Sequence, residues 1–214
     1  MTERISMALM LELDHMAVFA PTLAVGVAHV RECLGVEVPA GGTHIQMGTH
    51  NHLMRLGKDE FLEIIAIDPD AAKPRQPRWF GLDTYSEHHA RLGTWVLRSA
   101  DLEATLHEMP PSVGQATRIT RGDLSWKISV PDDGSMPFDG AFPSVLEWPS
   151  EPFPGSRMPD RGCSLQKLVV SHPNANIIKE RLRHWLRDER VEFHRNDKPS
   201  LEAYIQTPFG LRTL

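Results

Sequence analysis

Apolar and polar positions follow two rhythms along this chain, and the rhythm changes at residues with turn chemistry. Residues 11–20, Leu-Glu-Leu-Asp-His-Met-Ala-Val-Phe-Ala, form a largely apolar run of strand length. Residues 22–35 switch to helical spacing, with Leu23, Val27, Val30 and Leu34 recurring, Thr22 placed as an N-cap and Gly35 as a C-terminal stop. Gly41-Gly42 marks a turn, residues 43–49 and 51–57 predict two strands, and Gly57-Lys58-Asp59 is the next turn. Residues 60–67 predict a fourth strand. The order over 11–68 is β-α-β-β-β.

Residues 69–92 break the pattern. Pro69, Pro74 and Pro77 read as a surface connection, docked onto the core by Trp79-Phe80-Gly81-Leu82. A second unit over 93–149 follows: a strand at Thr94 to Leu97, a short helix from Asp101 to Met109, a hairpin around Arg121-Gly122-Asp123, and a strand from Phe142 to Trp148. Pro149 to Pro159, with four prolines, is a linker or a cover over a sheet edge. Residues 163–214 form a third, shorter βαββ unit that would complete the second half. It has a strand at 165–171, an amphipathic helix from Asn174 to Asp188, and strands at 191–195 and 201–206. Laying Leu13–Thr22 over Ser164–Pro173 gives a weak internal repeat in which Gln166 falls opposite His15.

Composition narrows the function classes. A chain of 214 residues that is 41% hydrophobic can bury one large core or two small ones. A net charge of −5 without a basic cluster argues against nucleic acid as a partner. No apolar stretch reaches membrane-spanning length, so no membrane association is expected. The start, Met1-Thr2-Glu3-Arg4 and the mixed segment Ile5 to Met10, lacks the pattern of a secretory signal. Two distant cysteines, Cys33 and Cys163, suit a reducing compartment, so a cytoplasmic location is expected.

The candidate chemistry starts with His15 and Glu63, each a lone ionisable residue within a strand that otherwise reads as buried. Such a group needs a partner. Alternation places His15 on a face with Leu13, Ala17 and Phe19, and Glu63 with Phe61, Ile65 and Ile67. A divalent ion such as Zn, Ni, Mn or Fe, a polar substrate, or a hydrogen-bond network would each serve; the plain alternative gives His15 a neighbouring strand and Glu63 an arginine such as Arg55. His44, Thr49 and Asn51, close to Gly48, are candidates to bind substrate oxygens, or simply hairpin residues. Trp95 by stacking and Lys127 by neutralising an acid are further substrate-binding candidates, with core edge and surface as the plain readings. His50, His52 and His88-His89 give no strong metal pattern, and no phosphate loop, nucleophile elbow or CxxC motif is present.

Taken together, Leu13-Asp14-His15, Gly41-Gly42-Thr43-His44, Gly48-Thr49-His50-Asn51-His52-Leu53, Phe61-Leu62-Glu63-Ile64 and Val145-Leu146-Glu147-Trp148 resemble the glyoxalase-like branch of the vicinal oxygen chelate superfamily. The resemblance implies an α+β fold of repeated βαβββ modules, with curved mixed sheets forming a cleft. It implies metal ligands from the first and fourth strands of paired modules. His15, Glu63 and Glu147 match such places, and Gln166 is a further first-strand candidate. Glu63 or Glu147 would move a proton next to a carbonyl in a lyase or isomerase reaction. The alternative is a non-catalytic small-molecule binding protein of bleomycin-resistance type without metal. Ring-cleaving dioxygenase chemistry needs a second histidine where Gly93, Thr94 and Trp95 stand. A homodimer is expected by analogy.

Overall fold

The structure is a computed structural model and describes residues 10–214, so the expectations for residues 1–9 lie outside the described residues. Its centre is an eight-stranded curved sheet made from two βαβββ units. The first comprises β1 (Glu12–Phe19), α1 (Leu23–Leu34), β2 (Ala40–His44), β3 (Thr49–Leu56) and β4 (Glu60–Ile67). The second comprises β5 (Arg91–Arg98), α2 (Leu102–Glu108), β6 (Gln115–Arg121), β7 (Leu124–Val130) and β8 (Ser144–Glu147). Strand order is β2-β3-β4-β1-β5-β8-β7-β6. Parallel β1–β4 and β5–β8 pairs form within each unit, and the antiparallel β1–β5 pair joins the units.

The helix between β1 and β2 forms where its caps predict. Thr22 Oγ1 accepts from the Val25 N–H at 3.3 Å, and Gly35 adopts the left-handed conformation with φ 74°. Gly26 allows α1 to lie against Ile64 of β4, because a Cβ there would run into the isoleucine.

Alternation along the strands divides the apolar residues between two cores. Met16, Val18, Leu62 and Ile64 face outward beneath α1 and α2, whereas Ala17, Phe19, Ile65, Val96 and Ile128 face the concave side. The sheet curls until its edge strands approach. Gln46, in the turn after β2, donates from Nε2 to the Arg118 carbonyl at 3.2 Å and accepts at Oε1 from the Thr120 N–H at 2.8 Å. The result is a barrel-like cleft that is closed along one seam by a side chain.

Residues 163–214 build a sheet of their own, in the order β10 (Val191–His194), β9 (Ser164–Ser171), β11 (Ser200–Thr207), β12 (Gly210–Thr213). It packs with α4 (Ala175–Leu182) against the outer core, sharing that core with β1 and β5. The fourth-strand place beside β5 is filled by β8, which leaves no position there for the third unit.

Three local expectations change. Gly41-Gly42 lies inside β2 rather than in a turn. The helix expected to run to Asp188 ends at Leu182, because the backbone beyond it pairs elsewhere: Leu11 N–H donates to the Trp185 carbonyl at 2.8 Å, and Leu11 bridges Leu186. The proline-rich stretch contains the short helix α3 (Pro154–Arg157), which contributes Pro154 to the lining of the cleft described below. No helix among the described residues is long and apolar enough to cross a membrane.

Candidate active site

Strand β1 does not alternate strictly. Its register with β5 shifts between Leu13 and His15, so Asp14 is the extra residue of a β-bulge. The bulge changes the phase: Leu13 belongs to the outer core while His15, Ala17 and Phe19 face inward. It also brings two consecutive side chains together. The Asp14 carboxylate is fully buried, and its Oδ1 accepts from His15 Nδ1 at 2.7 Å. Asp14 Oδ2 accepts from Trp148 Nε1 at 2.9 Å and from Arg98 at 3.3 Å. A carboxylate that accepts at Nδ1 fixes the imidazole tautomer and leaves Nε2 as the ring's working atom.

Nε2 faces Glu63 Oε2 at 3.7 Å, and both residues are 5% exposed. Phe61, two residues before Glu63 on the same face of β4, stacks on the His15 ring at 4.4 Å and fixes its plane. Glu63 is held from the other side. Asn51 Nδ2 donates to its Oε1 at 2.6 Å. The orientation of the Asn51 amide is set by its other end, where Oδ1 accepts from the Gly42 N–H at 2.9 Å and from Arg121 at 3.4 Å. His44 Nε2 lies 3.4 Å from Asn51 Nδ2, and its Nδ1 pairs with Thr49 Oγ1 at 3.0 Å. Burial drives His44 down to about 4, with Glu63 opposing the shift and the Arg121, His15 and His50 charges adding to it. His44 is thus a neutral hydrogen-bonding strut.

These groups line a narrow cleft with about 30 Å³ of free space. Trp79, Phe80, Trp126 and Trp148 line it, and His44 sits edge-on to both Trp79 and Trp126. Phe80 holds a left-handed backbone (φ 59°), an uncommon conformation for a bulky residue, which turns its ring onto that of Trp79. At the rim, Arg121 lies 6.0 Å over the Trp126 ring. Burial lowers its pKa from the usual value and the Glu63 carboxylate opposes this; the guanidinium stays charged.

The structure brings His15, Glu63, His44 and Asn51 together at the cleft, with Thr49 behind His44. The other four candidates lie elsewhere. Leu146 and Trp148 line the cleft, so Glu147 between them points to the opposite face of β8. There it accepts from the Leu102 N–H at the start of α2 and meets Lys127 at 3.6 Å. Lys127 is likewise turned away, between the cleft-lining Trp126 and Ile128. Trp95 is fully buried in the outer core, donating to the Ala141 carbonyl at 3.0 Å. Gln166 is exposed and bonds Ser164 of its own strand. Arg55 donates to the Gly57 carbonyl, not to Glu63.

The implied metal set therefore does not converge. Two of its three members face each other and the third is behind the sheet. Among the described residues no three His, Cys, Asp or Glu side chains gather as ligands. The space beside Glu63 is taken by the Asn51 amide hydrogens and lies within the field of Arg121. Donors and a cation at that point serve a carboxylate and oppose a second cation.

Asp14, Arg121 and the tryptophan lining carry the site and were not among the sequence candidates. Asp14 had a visible signal: a second charge beside His15 in a buried strand. Arg121 had none, since a hairpin tip is a normal place for arginine.

The glyoxalase-like domain family model matches residues 13–186. No curated protein matches the chain. A hypothetical protein from Staphylococcus aureus shares the fold, with a TM-score of 0.60 at 11% identity over 89% of this chain and 88% of that one. Methylmalonyl-CoA epimerase from Mycobacterium tuberculosis aligns with a TM-score of 0.46 at 14% identity, over 69% of this chain and 94% of that one. A variant of the Streptomyces coelicolor methylmalonyl-CoA epimerase, in complex with 2-nitronate-propionyl-CoA, aligns with a TM-score of 0.43 at 14% identity, over 64% of this chain and 97% of that one.

Proposed function

This chain belongs to the glyoxalase-like domain family, and from that premise we propose a small-molecule enzyme of lyase or isomerase type that moves a proton at a carbon beside a carbonyl. The observation that carries the reading is the facing pair at the cleft floor, His15 Nε2 and Glu63 Oε2 at 3.7 Å, each braced by a separate partner. Glu63 is the base: its Oε2 takes the proton from carbon, and the C–H electron pair moves toward the carbonyl oxygen. His15 is the acid: its Nε2–H protonates that oxygen, giving an enol and a neutral imidazole. Asp14 stabilises the imidazolium from which the proton leaves. On a 2-hydroxy carbonyl substrate the enol is an enediol: Glu63 returns its proton to the neighbouring carbon while His15 Nε2 takes the proton of the other hydroxyl, which forms the new carbonyl, restores the imidazolium and completes an isomerisation. Aromatic walls exclude water and strengthen these interactions. The reading routes no step through a metal, because the donor set does not fit one.

The test is deuterium wash-in. A panel of 2-oxo and 2-hydroxy carbonyl compounds in D₂O is followed by NMR with wild type, Glu63→Gln and His15→Asn. Enzyme-dependent exchange at the carbonyl-adjacent carbon, lost in both variants, is expected; exchange that survives both substitutions overturns the assignment.

The aromatic lining favours a second reading, a binding protein of bleomycin-resistance type that holds an apolar compound without changing it. Saturable binding with no exchange or turnover distinguishes it.

A further inference from the structure

We infer that the seam between β2 and β6 is the gate of the cleft and that Gln46 is its latch. The inference rests on the cleft being where the substrate goes; it does not require Glu63 or His15 to react.

Free space of about 30 Å³ is room for about two water molecules, so a carbonyl compound enters only when part of the lining moves away. Most of the lining cannot move cheaply. His15 on β1, Asn51 on β3, Glu63 on β4, Trp126 on β7 and Leu146 on β8 each stand on a strand hydrogen-bonded to a neighbour on both sides. β2 and β6 are the two ends of the sheet, and no backbone ladder joins them. Among the described residues the hydrogen bonds across this seam are made by side chains. Three belong to Gln46: Nε2 donates to the Arg118 carbonyl at 3.2 Å, and Oε1 accepts from the Thr120 N–H at 2.8 Å and from its hydroxyl at 3.3 Å. The fourth runs from Arg121 to Asn51 Oδ1 at 3.4 Å. Gln46 is exposed, so water replaces its bonds as they break, and the latch opens at low cost.

The backbone of β2 suits a moving edge. Its register with β3 slips between Ala40 and Thr43, and the residues in the slip are Gly41 and Gly42, which change conformation with little steric penalty. Past the end of the strand, Ile45 is 83% exposed beside the latch. His44, also on β2, is buried and stands edge-on to Trp79 at 5.0 Å and to Trp126 at 5.9 Å. An outward swing of β2 withdraws this ring and frees the space it fills. The swing also takes the Gly42 N–H from Asn51 Oδ1, so closure behind a substrate re-forms the brace on Glu63.

The rival path runs under α3, whose Pro154 lines the cleft. That segment is tied more firmly. Phe153 lies 3.8 Å from the Arg98 guanidinium, and a Cβ on Gly155 would collide with the Asp59 carbonyl oxygen, so α3 is packed directly on the backbone ahead of β4.

The test reads water access and needs no substrate. Trp79 lines the cleft, and its indole N–H is buried without a hydrogen-bond partner among the described residues. The Trp95 indole is buried in the outer core and donates to the Ala141 carbonyl. Hydrogen–deuterium exchange of both N–H groups is followed by NMR on the full chain. Gln46→Ala deletes all three latch bonds and should speed exchange at Trp79 about tenfold, while Trp95 keeps its wild-type rate. Phe153→Ala should leave both rates within about twofold. Equal acceleration of the two indoles would mean general loosening of the fold and overturns the latch. So does a wild-type Trp79 rate in Gln46→Ala, or acceleration at Trp79 by Phe153→Ala in its place. These outcomes are independent of the wash-in experiment: if carbon exchange fails and the Trp79 response stands, the proton-transfer reading falls alone.

Discussion

Asp14 and His15 are chain neighbours, yet their side chains meet, Oδ1 to Nδ1, at 2.7 Å. In a regular strand they would point to opposite faces. The bulge makes the contact, and Arg98 and Trp148 complete the shell around the carboxylate. Asp14→Asn removes charge from a fully buried network and leaves Arg98 short of a partner, so it should cost about 3 kcal/mol. Urea unfolding measures that. The same change should slow exchange by about a hundredfold, since it deprives His15 of the group that stabilises its protonated form. Trp148→Phe, which deletes a single hydrogen bond, should cost only about 1 kcal/mol.

Asn51 is the second brace. Asn51→Leu leaves Glu63 Oε1 and the Gly42 N–H without their partners and should cost about 1–3 kcal/mol. Gly41→Ala offers a test that leaves every polar group in place. The added methyl would run into Asn51 Oδ1, so exchange should fall while Glu63 and His15 remain intact. A Gly41→Ala enzyme with wild-type exchange would show that the Asn51 position does not matter.

Glu147 gives the opposite expectation. It caps α2 and pairs with Lys127 on the far face of β8. Glu147→Gln should lower stability by about 1 kcal/mol and leave exchange within about twofold. Glu63→Gln should lower exchange by about a thousandfold. Dialysis against a chelator should leave the exchange rate unchanged. Loss of activity on chelation, restored by stoichiometric zinc, would return a metal to the centre.

His44 makes stability depend on pH. It titrates near 6.5 in the unfolded chain and near 4 in the folded one. Between those values the unfolded state holds a proton that the native state refuses, so stability falls as pH drops from about 6.5 and levels off below about 4. The limiting slope is about 1.4 kcal/mol per pH unit and the total roughly 3 kcal/mol. His44→Gln should flatten this part of the profile, as read from thermal or urea unfolding across pH 4 to 7 (the interval spanning both values).

The sequence made the first module legible because its periodicities are clean. Leu23, Val27, Val30 and Leu34 mark the helix, and the runs around His15 and Glu63 mark the strands that bring those residues face to face. The bulge at Asp14 was not legible. One inserted residue changes a strand's phase without altering its composition, so strict alternation puts Leu13 on the face opposite to the one it occupies. Glu147 differs for a related reason: the apolar run marks its strand, but whether Leu146 and Trp148 or Glu147 face the cleft depends on a one-residue phase. Trp95 and Lys127 belong to the same class of error. Arg121 acquires its role only when the sheet curls and β6 meets β2, a long-range closure that no local pattern encodes.

The Trp148 indole touches ligand space with its ring and the Asp14 carboxylate with its N–H. Its emission should therefore respond both to a molecule entering the cavity and to a proton arriving on the Asp14–His15 couple behind it. Trp79 and Trp126 line the same cleft and emit as well, so with both replaced by Phe a stopped-flow trace of Trp148 would follow ligand arrival and the proposed proton movement in one unlabelled sample.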